Sequence, residues 1–186
     1  MERNWEYHCT ISWHKTNPSL QARLYTPVSS CEWIQVLKRL DEKGNSVKGI
    51  AFNWLGQANM HNFISGPRCQ SPERLYWHDV DGEIVPCTRK GCSLCQQGMM
   101  RRSHPTQTPL YVFDWIFSRF TQPGMRIFDP YSGIGTTIMA NYRSNFGLDI
   151  TASESCEGYV KVHNLWLAGK WHIPPLADEV DQMELF

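Results

Sequence analysis

The chain has 186 residues, 41% hydrophobic and 12% aromatic, which is enough for one domain with a real core and a small insert. Lys plus Arg and Asp plus Glu number 18 each, so no global field draws the chain to nucleic acid, and any such contact must come from local patches. Without a signal peptide, a membrane-length apolar run or an internal repeat, the expectation is no membrane partner and a cytosolic or nucleoid location.

Taken from the N-terminus, Thr10 to Pro18 and Cys31 to Lys38 read as two strands and a loop. Ile11 and Trp13, then Trp33, Ile34, Val36 and Leu37, mix alternating and continuous apolar patterns, as strands covered on one or both faces do. From about Gly49 to Met100 the composition shifts toward Gly, Pro, Asn and Cys, predicting a small loop-rich lobe. There Ile50, Phe52 and Trp54 alternate as a strand would, and Leu75-Tyr76-Trp77 with Ile84-Val85 predicts a strand pair turning at Asp81-Gly82. Arg68, Arg74, Arg89-Lys90 and Arg101-Arg102 form the most basic stretch.

Three thiols, Cys87, Cys92 and Cys95, stand close together in that lobe, with Cys69 as a fourth. Tetrahedral zinc accepts such thiolates and would staple a lobe whose own core is thin. His78 or Cys31 could replace Cys69. An iron-sulfur centre would need a further downstream cysteine, for which Cys156 alone is available. Four unligated thiols in a reducing compartment are the plain alternative.

Met125 to Phe128 then reads as a short buried strand that ends at Asp129 and runs into Pro130-Tyr131-Ser132-Gly133-Ile134-Gly135-Thr136-Thr137. Gly133 and Gly135 let the backbone turn tightly against a ligand, and a helix from Thr136 leaves its first amides without an intrahelical acceptor. Asp129 falls at the carboxyl end of the strand, where open parallel sheets hold ligands, and Asp149, about twenty residues on, suits a ribose. A dinucleotide fingerprint would place a third glycine where Ile138 stands. The hydroxyls of Ser132, Thr136 and Thr137 suit instead the amino acid end of S-adenosylmethionine, a phosphate-free cofactor; a nicotinamide oxidoreductase is the weaker reading.

With the segment His104-Pro105-Thr106-Gln107-Thr108-Pro109-Leu110 and an amphipathic helix from Tyr111 to Phe120 before it, this loop resembles the C-terminal part of the DNA amino-methyltransferases. That family methylates the exocyclic nitrogen of adenine or cytosine. Its His-Pro-Thr-Gln-Lys-Pro segment and Asp-Pro-Phe-x-Gly-x-Gly-Thr-Thr loop lie at this spacing, in the circular order that puts cofactor motifs after catalytic ones. The resemblance implies an α/β, Rossmann-like S-adenosylmethionine-dependent methyltransferase fold, with an incomplete, mainly parallel sheet and a loop-rich insert. It implies a cofactor site of His104, Thr106, Gln107, Pro109, Asp129, Tyr131, Ser132, Gly133, Gly135, Thr136, Thr137 and Asp149. Thr108 replaces the family lysine.

Thr10 to Lys38 is similar to the family's late sheet strands, which implies that Lys15 and Asn17 face DNA near the target base. Arg89, Lys90, Arg101 and Arg102 lie where the family carries its target recognition segment. The implied organisation is residues 1–48 as late strands, 49–102 as a recognition or zinc-bearing insert, and 103–186 as the cofactor part.

An Asp, Asn or Ser followed by Pro-Pro and an aromatic residue holds the target amine in this family, and the aromatic stacks on the flipped base. No such tetrapeptide occurs here. Pro174-Pro175 has Ile173 and Leu176 as neighbours, and only nine residues precede Thr10. The chain is therefore expected to be the cofactor-binding portion of a methyltransferase that works on DNA with a complementary chain or a second copy. The competing reading is a non-catalytic module that binds DNA or protein. Val162 and Trp166, with Tyr159 and Leu165, recur at helical spacing within Cys156 to Leu167 and read as packing residues, and the acidic stretch Asp178 to Glu184 as a frayed end.

Overall fold

The computed structural model describes residues 4–18, 29–47, 51–69, 73–87 and 91–170. In chain order its elements are β1 (Trp5–Lys15), β2 (Cys31–Arg39), β3 (Phe63–Gly66), β4 (Tyr76–Val80), β5 (Glu83–Pro86), α1 (Ser93–Gln96), β6 (Arg102–Ser103), α2 (Leu110–Phe120), β7 (Arg126–Asp129), α3 (Thr136–Ser144), β8 (Asp149–Ala152) and α4 (Glu157–Leu167). Packing divides the chain into two units. One comprises residues 1–68, 111–125 and 146–149; the other comprises residues 69–110, 126–145 and 150–186. The residues 49–102 thus fall into both units. Among the described residues no helix is long and apolar enough to cross a membrane.

The first unit is built on β1, which pairs antiparallel with β2 and parallel with β3. A bulge between Tyr7 and Cys9 shifts the register and resets the alternation of faces. Ile11, Trp13 and Ile64 consequently point inward and meet Val112 of α2, with Ile34, Val36, Trp115 and Phe120 around them. Each aliphatic side chain so covered contributes about 1.5–3 kcal/mol. The indole of Trp13 donates to the Tyr111 hydroxyl (2.8 Å), which donates to the Pro67 carbonyl (3.0 Å), so the polar tips of this core are satisfied. Trp33 and Leu37 are exposed on the other face, so of the two arrangements the apolar pattern allowed, β2 is covered on one face.

No strand forms over residues 51–54, contrary to the alternation there. Asn53 explains the difference. Its amide N–H donates to the Arg119 carbonyl (2.8 Å), and its side-chain amide donates to the carbonyls of Ser118 (3.0 Å) and Thr121 (2.7 Å). The last carbonyls of a helix have no acceptor role within it, so this segment caps α2 and leaves Phe52 and Trp54 exposed.

In the second unit β4 pairs antiparallel with β5 and β6. The turn falls at Asp81-Gly82 as predicted, with φ of 51° and 84°, the paired positive values of a two-residue type I′ hairpin. β7 and β8 form a separate ladder. The Asp149 amide donates to Met125 and the Ser153 amide to Asp129 (both 2.9 Å), so both chains advance together and the pair is parallel. The mainly parallel sheet of the sequence reading is therefore a set of mixed sheets within an α/β fold, because β1–β2 and the β4 hairpin are antiparallel. α3 ends at Asn145, whose left-handed φ of 51° turns the chain toward β8.

Candidate functional site

The loop between β7 and α3 is held by its own first acid. Asp129 Oδ2 accepts from Thr137 Oγ1 at 2.5 Å and Oδ1 accepts from the Tyr131 amide at 3.1 Å, so the carboxylate ties strand end, turn and helix start together. Gly133 and Gly135 have φ of 55° and 83°, values an L residue adopts only with strain. Ser132 is buried, and both its amide (3.0 Å) and its hydroxyl (3.2 Å) donate to the Ser153 carbonyl after β8. Thr136 and Thr137 are buried at the first turn of α3, while Tyr131 is 89% exposed.

Two residues that the sequence did not single out complete this frame. Glu154 accepts from the Gly133 amide (Oε2, 2.9 Å) and from the Cys156 amide (Oε1, 2.7 Å). Those amide bonds, Cys156 first, hold its carboxyl below the ordinary value, with His104 assisting. His163, on α4, lies against Gly135: a methyl placed on Gly135 would come within 2.6 Å of its ring. Its Nε2 is buried and has no hydrogen-bond partner among the described residues. Neither signal is local in sequence.

The His104 segment reaches the same loop. A methyl on Gly133 would lie 3.1 Å from His104 Nε2, and the His104 ring packs on Tyr159 of α4 at 4.6 Å between centroids. Thr106 is exposed and its amide donates to His104 Nδ1 (3.3 Å). Gln107 is buried: its Oε1 accepts from the Leu75 amide (3.1 Å) and its Nε2 donates to the Glu73 carbonyl (3.0 Å). Pro109 is buried beside it in sequence. Glu73 itself accepts from the Leu110 amide at the start of α2 (3.1 Å) and from Arg143 of α3 (2.9 Å). Thus His104 is brought to the glycine loop, while Gln107 spends both ends of its amide on residues 73–75. Asp149 opens β8 and packs with the first unit.

Both histidines at the loop are shifted downward. Burial lowers His104, opposed by Glu154 and aided by Arg74; burial alone lowers His163. Their ordinary value is 6.5, so unfolding exposes groups that take up protons more readily than the folded forms do. Their contribution to stability is complete above pH 6.5 and declines as the pH falls through and below it. Melting curves taken between about pH 7.5 and 5.5 should show a falling midpoint, and His163→Asn should reduce the slope. A flat profile for the unmodified chain would contradict the neutral assignment.

The remaining predicted residues are placed as follows. Cys87, Cys92 and Cys95 come together, but with His78 and not Cys69. Cys69 is buried elsewhere in the unit, where desolvation first and then Glu73 push its thiol up to about 12; an uncharged, buried thiol is a packing group. Of the three candidates for the fourth position, Cys69, His78 and Cys31, the cluster contains His78. Lys15 is paired with Glu32 on the neighbouring strand and sits over the Trp13 ring, and Asn17 accepts from the Arg68 amide (2.6 Å). Arg101 stacks on Tyr76, and Arg102 is 3.7 Å from Asp79. Arg89 and Lys90 lie outside the described residues, as do Ile50, Pro174-Pro175 and the acidic stretch.

Set against solved structures, the fold has clear relatives. The M1.HpyAVI–SAM complex superposes with a TM-score of 0.57 at 20% identity, over 88% of this chain and 62% of that one. This chain has the DNA methyltransferase fold. The cytosine-N4-specific PvuII DNA methyltransferase matches with a TM-score of 0.54 at 11% identity, covering 83% of this chain and 49% of its own. TTHA0409 of Thermus thermophilus, complexed with S-adenosyl-L-methionine, matches with a TM-score of 0.51 at 14% identity, over 90% and 55%. This methyltransferase-fold chain therefore spans about half to two thirds of the length of these structures. No family model and no curated protein matches its sequence. At such identities the likeness fixes the fold.

Proposed function

We propose that this chain is the S-adenosylmethionine-binding portion of a DNA amino-methyltransferase acting on adenine N6 or cytosine N4. The observation that carries the reading is the meeting of the His104 segment with the Gly133 turn, within one unit, on a fold otherwise found in DNA methyltransferases. The second unit offers features that suit the cofactor. The positive φ at Gly133 and Gly135 opens the backbone to close approach, and the Thr136 hydroxyl at the first turn of α3 is the donor we assign to an amino acid end, since Ser132 and Thr137 already donate to the Ser153 carbonyl and to Asp129.

When bound, the cofactor would supply a sulfonium-activated methyl group. The chain's own residues would do the holding. Asp129 and Glu154 fix the loop by accepting its amides and Thr137's hydroxyl, so the turn is ordered without a ligand, which lowers the ordering cost of binding. His104 stays neutral at pH 7 because burial disfavours its cation, avoiding repulsion of a positive sulfonium. Arg101 and Arg102, with Lys15, Asn17, Arg89 and Lys90, are the groups we assign to DNA.

Methyl transfer needs an acceptor-holding group for the amine, and these 186 residues contain no Asp-, Asn- or Ser-Pro-Pro-aromatic segment. We assign that group to further polypeptide, on a partner or on the same gene product. Calorimetry on the purified chain should show binding of S-adenosylmethionine and none of NAD. Labelled methyl transfer to DNA should be absent with the chain alone and appear when a polypeptide carrying the missing segment is added. Robust transfer by the isolated chain would overturn the division of labour; failure to bind the cofactor would leave the non-catalytic module as the reading.

A further inference from the structure

We propose that His78, Cys87, Cys92 and Cys95 bind a single Zn²⁺ that clips the β4–β5 hairpin to the short helix α1. The site is independent of the cofactor reading. His78 is fully buried in β4, Cys87 directly follows β5, and Cys92 and Cys95 flank and enter α1. Their four ligand atoms all lie within 4.8 Å of one another. His78 Nε2 is 3.4 Å from both Cys92 Sγ and Cys95 Sγ, and Cys87 Sγ is 3.6 Å from Cys95 Sγ.

Those separations match a tetrahedral centre. With Zn–S of about 2.3 Å and Zn–N of about 2.0–2.1 Å, ligand atoms at tetrahedral angles stand roughly 3.5–3.8 Å apart. A disulfide would require about 2.05 Å between sulfurs. An iron-sulfur cluster would spread its thiolates over several irons, and Cys156, the further cysteine it would need, is exposed and outside the group.

The ligand tautomer is also prepared. His78 Nδ1 lies 3.2 Å from the Met100 carbonyl, which can only accept, so Nδ1 carries the proton and Nε2 presents its lone pair to the thiols. This is the usual outer contact of a metal-bound histidine. Zn²⁺ takes the three cysteines as thiolates, so any thiol protons leave to solvent, and the dication compensates the negative charge gathered at the cluster. No exchangeable position remains among the four ligands, so the role is structural.

The test is metal content of the full chain purified without a histidine tag. The expected result is one zinc per chain by elemental analysis. Cys87→Ser and Cys92→Ser should each reduce this at least tenfold, whereas Cys69→Ser and Cys156→Ser should leave it unchanged. Should the ligand variants fail to fold, the unmodified chain still decides. Cobalt exchanged into it should show the absorption of tetrahedral cobalt with thiolate charge transfer, and chelation should expose three further thiols to a thiol reagent as zinc is released. A metal-free chain whose thiols react without chelator, a disulfide among the three cysteines, or equal metal loss on Cys69→Ser would each overturn the site.

Discussion

Gly135→Ala should abolish measurable S-adenosylmethionine binding and lower the melting temperature by roughly 5–10 °C. Two costs combine at this residue. A φ of 83° in an L residue costs about 1–2 kcal/mol, and the added methyl would sit 2.6 Å from the His163 ring, closer than carbon atoms approach. At about 2–4 °C per kcal/mol for a chain of this size, a combined cost of about 2–3 kcal/mol gives that shift. The ring cannot simply swing aside, because its Nε2 is already buried. The double variant Gly135→Ala/His163→Ala separates the terms: it removes the collision and keeps the backbone strain, so it should recover part of the stability and little of the binding. Wild-type affinity in Gly135→Ala, measured by calorimetry, would show that the loop conformation does not set the pocket.

That loop was also the most legible part of the chain. Gly133 and Gly135 declare their φ because few residues tolerate it, and Asp81-Gly82 names its hairpin for the same reason. Tyr111 to Phe120 and the stripe around Val162 were visible by helical periodicity, and α2 and α4 follow within a residue. What stayed hidden depends on contacts between distant positions. Glu154 and Glu73 accept backbone amides, a role any exposed acid could fill, and no local pattern marks it. His78 stood in the sequence as one of two substitutes for Cys69, and its place in a strand of ordinary alternation could not decide between them; the cluster it forms with the thiols does. At residues 51–54 alternation alone pointed to a strand, but Asn53 found better acceptors at the end of α2.

The two hidden acids, Glu154 and Glu73, share a physical logic with Asp129, which the sequence did mark. Asp129, Glu154 and Glu73 each place one carboxylate against two separate donors, at least one of them a backbone amide in every case. A carboxylate has two oxygens and can bridge segments far apart in sequence, which a single hydroxyl cap does less well. The second unit thus gains rigidity near its glycine turn from charge-assisted bonds as well as from apolar burial.

Glu73 offers the sharpest measurement of that effect. Its Oε1 meets Arg143, whose side chain is only 10% exposed, and its Oε2 accepts from Leu110 at the head of α2. Glu73→Ala should destabilise the chain by roughly 3 kcal/mol, because it strips the carboxylate from a nearly buried guanidinium and uncaps the helix. Glu73→Gln keeps one carbonyl acceptor and can serve one donor, not both, so its loss should be about half as large. Arg143→Met paired with Glu73→Gln closes a thermodynamic cycle. With the cation gone, the amide's carbonyl is free for Leu110 and the penalty of the Gln substitution should shrink, giving a coupling of about 1–2 kcal/mol. Urea denaturation of the four proteins measures it. Additive losses would mean that Arg143 is held by its other contacts and that Glu73 acts as a helix cap alone.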